Sequence, residues 1–349
     1  MKTKLFVLLC AFGTVLSLLC GCNSTPLRQA ERAMVPADQV SKKLFARRAA
    51  ALRAVLSSLP LRGAGLKLSS YSHRLLPGRE IIEMVKLLGF NRVYCYISSE
   101  TELGDELKDL LLNASSANIP VELVIRQGDF RHRLRGNALV RMLLPQFRTL
   151  PELAQDIAEF NDTLPPKGKL SGVTVRFEPH LLTYANGADK IPGLKYIWDI
   201  HTFGPGLDND LLVALSIEQL KQMKVNLKGL PLSVELPDFY PVLVAEKKLT
   251  RGKVKDFDSV GKVIVQCSGN KPSELVRMSN AALSENPNTA VVIPLADHTS
   301  VRTGALRRRN WSDLVRAVDF FVNSARKNNC SGVILRPLSE LGFMLLEQE

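Results

Sequence analysis

The sequence of 349 residues lacks the short motifs that define the most familiar enzyme classes. It has no GxGxxG or GxxxxGKS/T turn, which disfavours a nucleotide-binding, doubly wound sheet. It also has no GxSxG elbow of a serine hydrolase. The five histidines show no zinc-ligand spacing, so a metal site would have to recruit His73, His180, His298 and Asp297 from separate loops. We expect neither a metal nor another cofactor.

Cysteine is scarce, and its six residues include no CxxC pair. Cys95, Cys267 and Cys330 lie in the main part of the chain, where their odd number predicts buried free thiols rather than a disulfide framework. The chain is 46% apolar and 23% charged, which excludes a disordered or multi-span membrane protein. The formal charge is +12, but nucleic acid is a poor candidate partner for a chain that carries an export signal.

That signal is at the amino terminus. Lys2 and Lys4 precede an apolar run over residues 5–19, which is short for a membrane span. The run ends in Leu19-Cys20-Gly21-Cys22, which resembles the lipobox of bacterial lipoproteins. The resemblance implies a signal peptide over residues 1–21, acylation of Cys22 by palmitate-type chains, and an envelope location. Asn23 follows the cysteine and implies the outer membrane, facing the periplasm or the exterior. An ordinary signal peptide with a chance cysteine is the alternative.

The next two segments link this anchor to the main domain. Residues 22–36 are polar and contain prolines, which is typical of a tether, and residues 37–62 contain a strong helical pattern. The helix is basic, so it could lie against anionic head groups. Alternatively, its apolar stripe packs on the main domain and its charges are solvated.

The remaining residues, 63–349, alternate short β-branched runs with helical patterns. This alternation predicts an α/β fold, a closed (β/α)8 TIM barrel, with an open doubly wound sheet as the alternative. The predicted strands are Leu66–Tyr71, Arg92–Ser98, Val121–Arg126, Gly172–Glu178, Leu232–Glu235, Lys262–Gln266, Ala290–Pro294 and Gly332–Arg336.

Polar residues alternate with apolar ones along several of these strands. The apolar face of a barrel strand must meet the helices, so the polar face is expected to point inward. This alternation predicts a polar barrel interior, with arginine and glutamate around the ring.

Active sites of such barrels lie at the carboxyl ends of the strands. The candidate catalytic residues there are Glu178 as acid/base and Glu235 as nucleophile or base. Hydroxyl-rich sugars suit the carboxylates and aromatic residues of this end. The candidate substrate-binding residues are Tyr71, His73, Tyr96, Arg126, Arg176, His180, Asp238, Tyr240, Gln266, Asp297 and Arg336.

The segment Ser171-Gly-Val-Thr-Val-Arg-Phe-Glu178 resembles the catalytic motif of the family 18, chitinase-type glycoside hydrolases. Gly172, Val173, Val175, Phe177 and Glu178 match that motif. The resemblance implies that Glu178 protonates a glycosidic oxygen. The three aspartates of the motif are replaced here by Ser171, Thr174 and Arg176, which puts the family's substrate-assisted cleavage in doubt.

Two functions follow from this pattern. The first is a lipid-anchored glycoside hydrolase that acts on a glycan. The second is a non-catalytic barrel that binds carbohydrate or an acidic envelope polymer, with Glu178 and Glu235 neutralised by arginines. Three arginines face two glutamates, so we expect one guanidinium to lack a protein partner and to favour acidic sugars. The sequence does not indicate an oligomeric state.

Overall fold

The computed structural model describes residues 39–67, 77–97, 103–127, 150–182, 198, 203–269, 271–295, 306 and 310–346. Eight parallel strands close into a barrel in chain order, each strand pairing with the next and the last with the first. The (β/α)8 prediction is thereby confirmed. The strands are β1 (Leu61–Lys67), β2 (Arg92–Ile97), β3 (Val121–Arg126), β4 (Gly172–Arg176), β5 (Leu232–Pro237), β6 (Lys262–Gln266), β7 (Ala290–Pro294) and β8 (Gly332–Arg336).

Helices cover the outside of this barrel. They are α1 (Gln39–Leu56), α2 (Gly78–Leu87), α3 (Asp105–Ser116), α4 (Leu150–Thr163), α5 (Pro179–Leu182), α6 (Asp208–Asn226), α7 (Phe239–Ala245), α8 (Pro272–Glu285), α9 (Trp311–Arg326) and α10 (Leu338–Leu346), with 3-10 turns at Pro166–Gly168 and Val254–Phe257. Outward strand residues such as Val93, Leu123 and Val175 are fully buried beneath them. Cys95, Cys267 and Cys330 are buried free thiols, as predicted. Within the described residues, no helix has the length and hydropathy of a membrane span.

The first strand begins at Leu61 and not at Leu66, which corrects the predicted range. Glycine has a low β propensity, so Gly63 and Gly65 make this strand difficult to recognise in the sequence. Side chains of the neighbouring strand occupy the space that these two glycines leave open. A Cβ on Gly63 would lie 2.7 Å from the Tyr94 ring, and one on Gly65 would lie 3.1 Å from the Tyr96 ring. The glycines of β1 thus make room for the tyrosines of β2.

The barrel interior is layered, which corrects the expectation of a polar interior. A middle layer is apolar and contains Tyr94, Val124, Ile264, Ala290, Val292 and Ile334. The polar residues lie at the two ends of the barrel, above and below this layer. The alternation along the strands correctly indicated which side chains face inward. The inward residues of β6, β7 and β8 are apolar, however, so an alternation of polar and apolar residues does not identify them.

Helix α1 packs on the barrel. Ala49, Leu52 and Leu56 are fully buried. The guanidinium of Arg48 donates to the Leu345 carbonyl at 3.0 Å, and the Trp311 indole donates to the Arg48 carbonyl at 3.1 Å. Of the two alternatives for this helix, packing of its apolar stripe on the main domain is therefore the one observed.

Candidate functional site at the barrel mouth

Three neighbouring strands bring charged side chains to the same level of the barrel. Arg126 of β3 is the register partner of Arg176 in β4, and Arg176 is the partner of Glu235 in β5. Arg336 ends β8, and Glu178 lies just beyond β4. We call the resulting set the mouth network; its members are Tyr96, Arg126, Arg176, Glu178, Glu235, Gln266 and Arg336.

Glu235 lies deepest in this network, with its side chain 1% exposed. Its Oε1 is 3.0 Å from Arg176 Nε and 3.2 Å from Arg336 Nη2. The Arg176 contact is electrostatic, because the Nε–H is not aimed at that oxygen. The Tyr96 hydroxyl donates to the second carboxylate oxygen at 2.9 Å. Two guanidiniums and a hydroxyl donor therefore surround this buried carboxyl group.

Glu178 is also buried, with its side chain 4% exposed. Its Oε1 is 3.0 Å from Arg176 Nη2 and accepts a hydrogen bond from Arg126 Nη2 at 3.4 Å. Its backbone N–H donates to Gln127 Oε1 at 2.9 Å. Two guanidiniums thus face one carboxylate oxygen of Glu178.

Arg176 joins the two carboxylates, and its Nη2 also donates to Gln266 Oε1 at 2.7 Å. Burial lowers the pKa of Arg176, and the attraction of Glu235 offsets this only in part. Each of the three guanidiniums in the mouth network contacts a carboxylate, so the expectation that one of them lacks a protein partner is wrong.

The pKa of Arg336 is shifted in the opposite direction. Burial lowers its pKa too, but Glu235 and Tyr96 outweigh burial and place it above the ordinary value. The Arg336 guanidinium also lies over the Tyr96 ring, 4.9 Å from its centroid, in a cation–π contact.

An aromatic cluster lies beside the network; its members are His180, Trp198, Phe203, Phe239 and Tyr240. Trp198 and Phe203 meet edge to face at 6.0 Å, and Phe239 stacks on Tyr240 at 4.4 Å. His180 Nδ1 is 3.0 Å from the Tyr240 hydroxyl. Burial lowers the pKa of His180 to about 4, with Glu178 opposing this and Arg176 and Arg126 adding to it. His180 is therefore neutral near pH 7.

Two candidate substrate-binding residues lie behind this surface. Tyr240 is fully buried, and its ring contacts Phe177 in the core. Asp238 is 1% exposed, and its carboxylate accepts from the Ser268 N–H and from Ser268 Oγ, the latter at 2.9 Å. Burial raises the pKa of Asp238 although Ser268 opposes this. Asp238 thus ties the end of β5 to the segment after β6.

The structure therefore brings Tyr96, Arg126, Arg176, Gln266 and Arg336 together with the two glutamates. His180 is near them in the aromatic cluster. The remaining candidates, Tyr71, His73, Asp297 and the lipidation candidate Cys22, lie outside the described residues.

Two polar features escaped the sequence interpretation. Gln127, which receives the Glu178 N–H, follows β3 and has no periodic signal. At the opposite end of the barrel, Arg92 pairs with Glu122, whose other oxygen accepts from Thr174 Oγ1 at 2.9 Å. Arg92 could have been found, since it shares the inward alternation of Tyr94 and Tyr96. In the part of the chain that the structure describes, no group of three or more His, Cys, Asp or Glu could hold a metal.

No family model matches this chain, and no curated protein matches it at a significant level. Several of its neighbours among solved structures are glycoside hydrolases. A β-1,4-D-mannanase from Cryptopygus antarcticus is 13% identical, with a TM-score of 0.49, over 82% of this chain and 89% of that one. A tri-modular endo-β-1,4-glucanase from Bacillus halodurans is 11% identical, with a TM-score of 0.48, over 82% of this chain and 57% of that one.

A fungal endo-β-N-acetylglucosaminidase of glycosyl hydrolase family 18 is 11% identical, with a TM-score of 0.43, over 82% of this chain and 97% of that one. The chain spans less than two thirds of the length of the tri-modular glucanase. Similarity at this level concerns barrel architecture and carries no information on activity.

Proposed function

We propose that this protein is a glycan-binding (β/α)8 barrel whose ligand is held at the mouth network. The observation that carries the proposal is the juxtaposition of that charged, hydrogen-bonding network with the half-buried aromatic rings of Trp198, Phe203 and Phe239. Sugar hydroxyls pair with bidentate carboxylates and guanidiniums, and the apolar faces of pyranose rings stack on aromatic side chains. Both kinds of group lie at the same end of the barrel.

Binding is preferred over cleavage because of the charges around the two glutamates. A glycosidase needs one carboxyl group that holds a proton for the leaving oxygen. Glu178 faces Arg126 and Arg176, and Glu235 faces Arg176 and Arg336. Guanidiniums therefore occupy both carboxyl groups, an arrangement that suits a fixed binding framework better than a free proton donor.

Hydrolysis is the second candidate, and one observation favours it. Glu235 lies near the end of β5, and its carboxyl group is oriented by the Tyr96 hydroxyl at 2.9 Å, which suits a nucleophile or base. In this scheme Glu178 is the acid/base, and it would have to take up a proton between two guanidiniums. A ligand group that neutralises either guanidinium would make protonation of Glu178 easier.

The proposed setting is the bacterial envelope. Acylation of Cys22 would hold the barrel at a membrane surface through residues 22–36, and the outer membrane is the membrane that Asn23 favours. More than one acyl chain gives stable anchoring, and lipoprotein modification supplies such chains.

A glycan screen tests the proposal. Wild type, Glu178→Gln and Glu235→Gln are compared on a panel of envelope and plant glycans, with binding and product release measured on the same samples. Binding by all three proteins without product supports the binding barrel. Product from wild type alone supports the hydrolase. Failure of every protein to bind any glycan refutes both.

A further inference from the structure

Helix α1 has a charge composition unlike that of the other helices. It contains five basic residues and no acidic one. Among the ten α-helices in the described part of the chain, α1 is the only one with more basic than acidic residues. Helices α2, α9 and α10 pack against it. Helices α2 and α9 each carry two acidic and two basic residues, and α10 carries one acidic residue. The flanking helices therefore offset only a small part of the positive charge of α1.

The two sides of α1 have different roles. One side packs on the barrel through residues that are fully buried, namely Ala49, Leu52 and Leu56. At 3.6 residues per turn, the opposite side of the helix consists of exposed residues that are basic or small. We call this side the outer face of α1; its members are Lys43, Arg47, Ala50 and Ala54. Packing on the barrel thus leaves the outer face available to a partner.

The outer face extends to the mouth end of the barrel. Helix α1 ends at Leu56 and β1 begins at Leu61, so the chain reverses in a short turn and α1 begins near the mouth. Trp311 supports this direction. It begins α9, which runs from the mouth end back to the start of β8, and its indole donates to the Arg48 carbonyl at 3.1 Å. Lys43 precedes Arg48 by more than one turn and therefore lies beside the mouth.

The chain that precedes α1 contains a segment directed to a membrane. Lys2 and Lys4 are followed by the apolar run of residues 5–19, a pattern typical of an export signal. Cys22 and Gln39 are separated by 16 residues, which span at most about 60 Å when fully extended. A membrane attachment at or before Cys22 would therefore keep α1 close to a lipid surface. A link this short gives even a weak surface contact a high effective concentration.

We propose that the outer face of α1 binds the head groups of anionic phospholipids. Lipids of negative charge attract lysine and arginine residues that lie within about a Debye length of the surface. Lys43 and Arg47 supply these charges one turn apart, and the short side chains of Ala50 and Ala54 permit close approach. Because α1 lies along the barrel wall, this contact holds the barrel on its side with its mouth beside the lipid surface. The inference goes beyond glycan binding, and neither property requires the other.

Vesicle sedimentation tests the inference. The full chain carries Cys22→Ser in every sample, so no acyl chain at this residue contributes to binding. Partition into vesicles of phosphatidylcholine is compared, at low salt, with partition into equimolar phosphatidylcholine and phosphatidylglycerol. The amino-terminal segment is identical in all samples, and the differences between variants therefore report on α1. The variants are Lys43→Gln/Arg47→Gln, Ala50→Glu and Ala50→Lys, with Lys221→Gln/Lys224→Gln as the matched control. This control removes two positive charges from α6, on the opposite side of the barrel.

We expect Lys43→Gln/Arg47→Gln to lower partition into anionic vesicles by about 10- to 30-fold, and the α6 control to lower it by less than about 2-fold. Ala50→Glu should lower this partition and Ala50→Lys should raise it, each by about 5-fold, because they place opposite charges in the centre of the outer face. Circular dichroism spectra confirm folding of each variant, and both substitutions at Ala50 introduce residues that favour helices.

Three results would overturn the inference. The first is equal partition into anionic and neutral vesicles before α1 is changed. The second is a loss in Lys43→Gln/Arg47→Gln no larger than that in the α6 control. The third is a change in the same direction for Ala50→Glu and Ala50→Lys, which would indicate a structural effect of the position and not of its charge. Each of these results leaves the proposed glycan binding intact, since no glycan is present in the assay.

Discussion

The hydroxyl of Tyr96 on β2 donates to Glu235 Oε2 on β5 across the barrel, at 2.9 Å. The same tyrosine ring lies under the Arg336 guanidinium, which contacts the other oxygen of Glu235. One aromatic side chain thus fixes both partners of a buried ion pair. Burial, together with the negative charge of Glu235, raises the pKa of Tyr96 well above its ordinary value, although Arg336 opposes this, and the hydroxyl stays a donor.

Tyr96→Phe removes this hydrogen bond and leaves one oxygen of a buried carboxylate without its hydroxyl donor. We expect a loss of about 1–3 kcal/mol in the free energy of unfolding, measured by urea denaturation. A double-mutant cycle with Glu235→Gln should give a coupling energy above about 0.5 kcal/mol. Strictly additive effects would show that the two side chains do not interact in solution.

Arg176→Leu removes the group that joins Glu178 and Glu235 and leaves two buried negative charges with weaker compensation. We expect destabilisation of about 3–5 kcal/mol near neutral pH. The control is Arg79→Leu, since Arg79 forms an exposed i,i+4 pair with Glu83 on α2. A loss of stability in Arg176→Leu no larger than that in Arg79→Leu would contradict the role assigned to Arg176.

His180 should make the protein less stable in mild acid. Its pKa is about 4 in the folded state, because burial disfavours the charged ring, and about 6.5 when unfolded. Between these values the unfolded chain binds more protons, so stability rises with pH through this window and is lost as the pH falls. The loss in the free energy of unfolding that His180 causes across this window is at most about 3 kcal/mol. The difference in the free energy of unfolding between wild type and His180→Gln should therefore shrink as the pH falls from about 6.5 to about 4. Urea denaturation at each pH measures this difference. A parallel pH dependence of the two proteins would exclude a depressed pKa.

Leu52→Ala tests whether α1 is part of the barrel domain. Leu52 is fully buried, so the substitution should cost about 2–5 kcal/mol. Leu44 lies on the same helix and is 39% exposed, and Leu44→Ala should change stability by less than about 1 kcal/mol. Thermal or urea unfolding of both variants measures the difference. Equal, small effects would mean that the helix detaches from the barrel in solution.

Cys22→Ser tests the anchor. The lipobox resemblance of residues 19–22 predicts that the variant loses its acyl chains and is recovered unprocessed or free of the membrane. Metabolic labelling with an alkyne fatty acid followed by fractionation measures both properties. The matched control is Cys20→Ser, which retains the acceptor cysteine. Labelling that persists in Cys22→Ser would exclude this residue as the lipid acceptor.

The sequence predicted the later strands well and the first one poorly. Val121–Arg126 and Gly332–Arg336 have the predicted bounds, because β-branched and other apolar residues dominate both. The glycines of β1 carry no such signal, since their role is to accept the rings of another strand. A pattern along one strand cannot report how much space its neighbours need.

The site was predictable in its membership but not in its pairing. Alternation along β2, β3, β4, β5 and β8 placed Tyr96, the arginines and Glu235 on the inward face. Which guanidinium meets which carboxylate depends on the stagger between strands and on side-chain rotamers, which no single strand encodes. Asp238 and Tyr240 were expected at the surface of the mouth. The chain turns into α7 directly after β5, and this turn carries both of them behind the barrel wall.

Gly65 shows that a residue without a side chain can set the geometry of this mouth. A methyl group there would collide with the Cβ of Arg336 and press on the ring of Tyr96, 3.1 Å away. Both groups contact Glu235, so an alanine at position 65 would disturb the mouth network through Arg336 and Tyr96. Substitution of Gly65 is therefore poorly tolerated in evolution, although a search for charged or aromatic residues would not select this position.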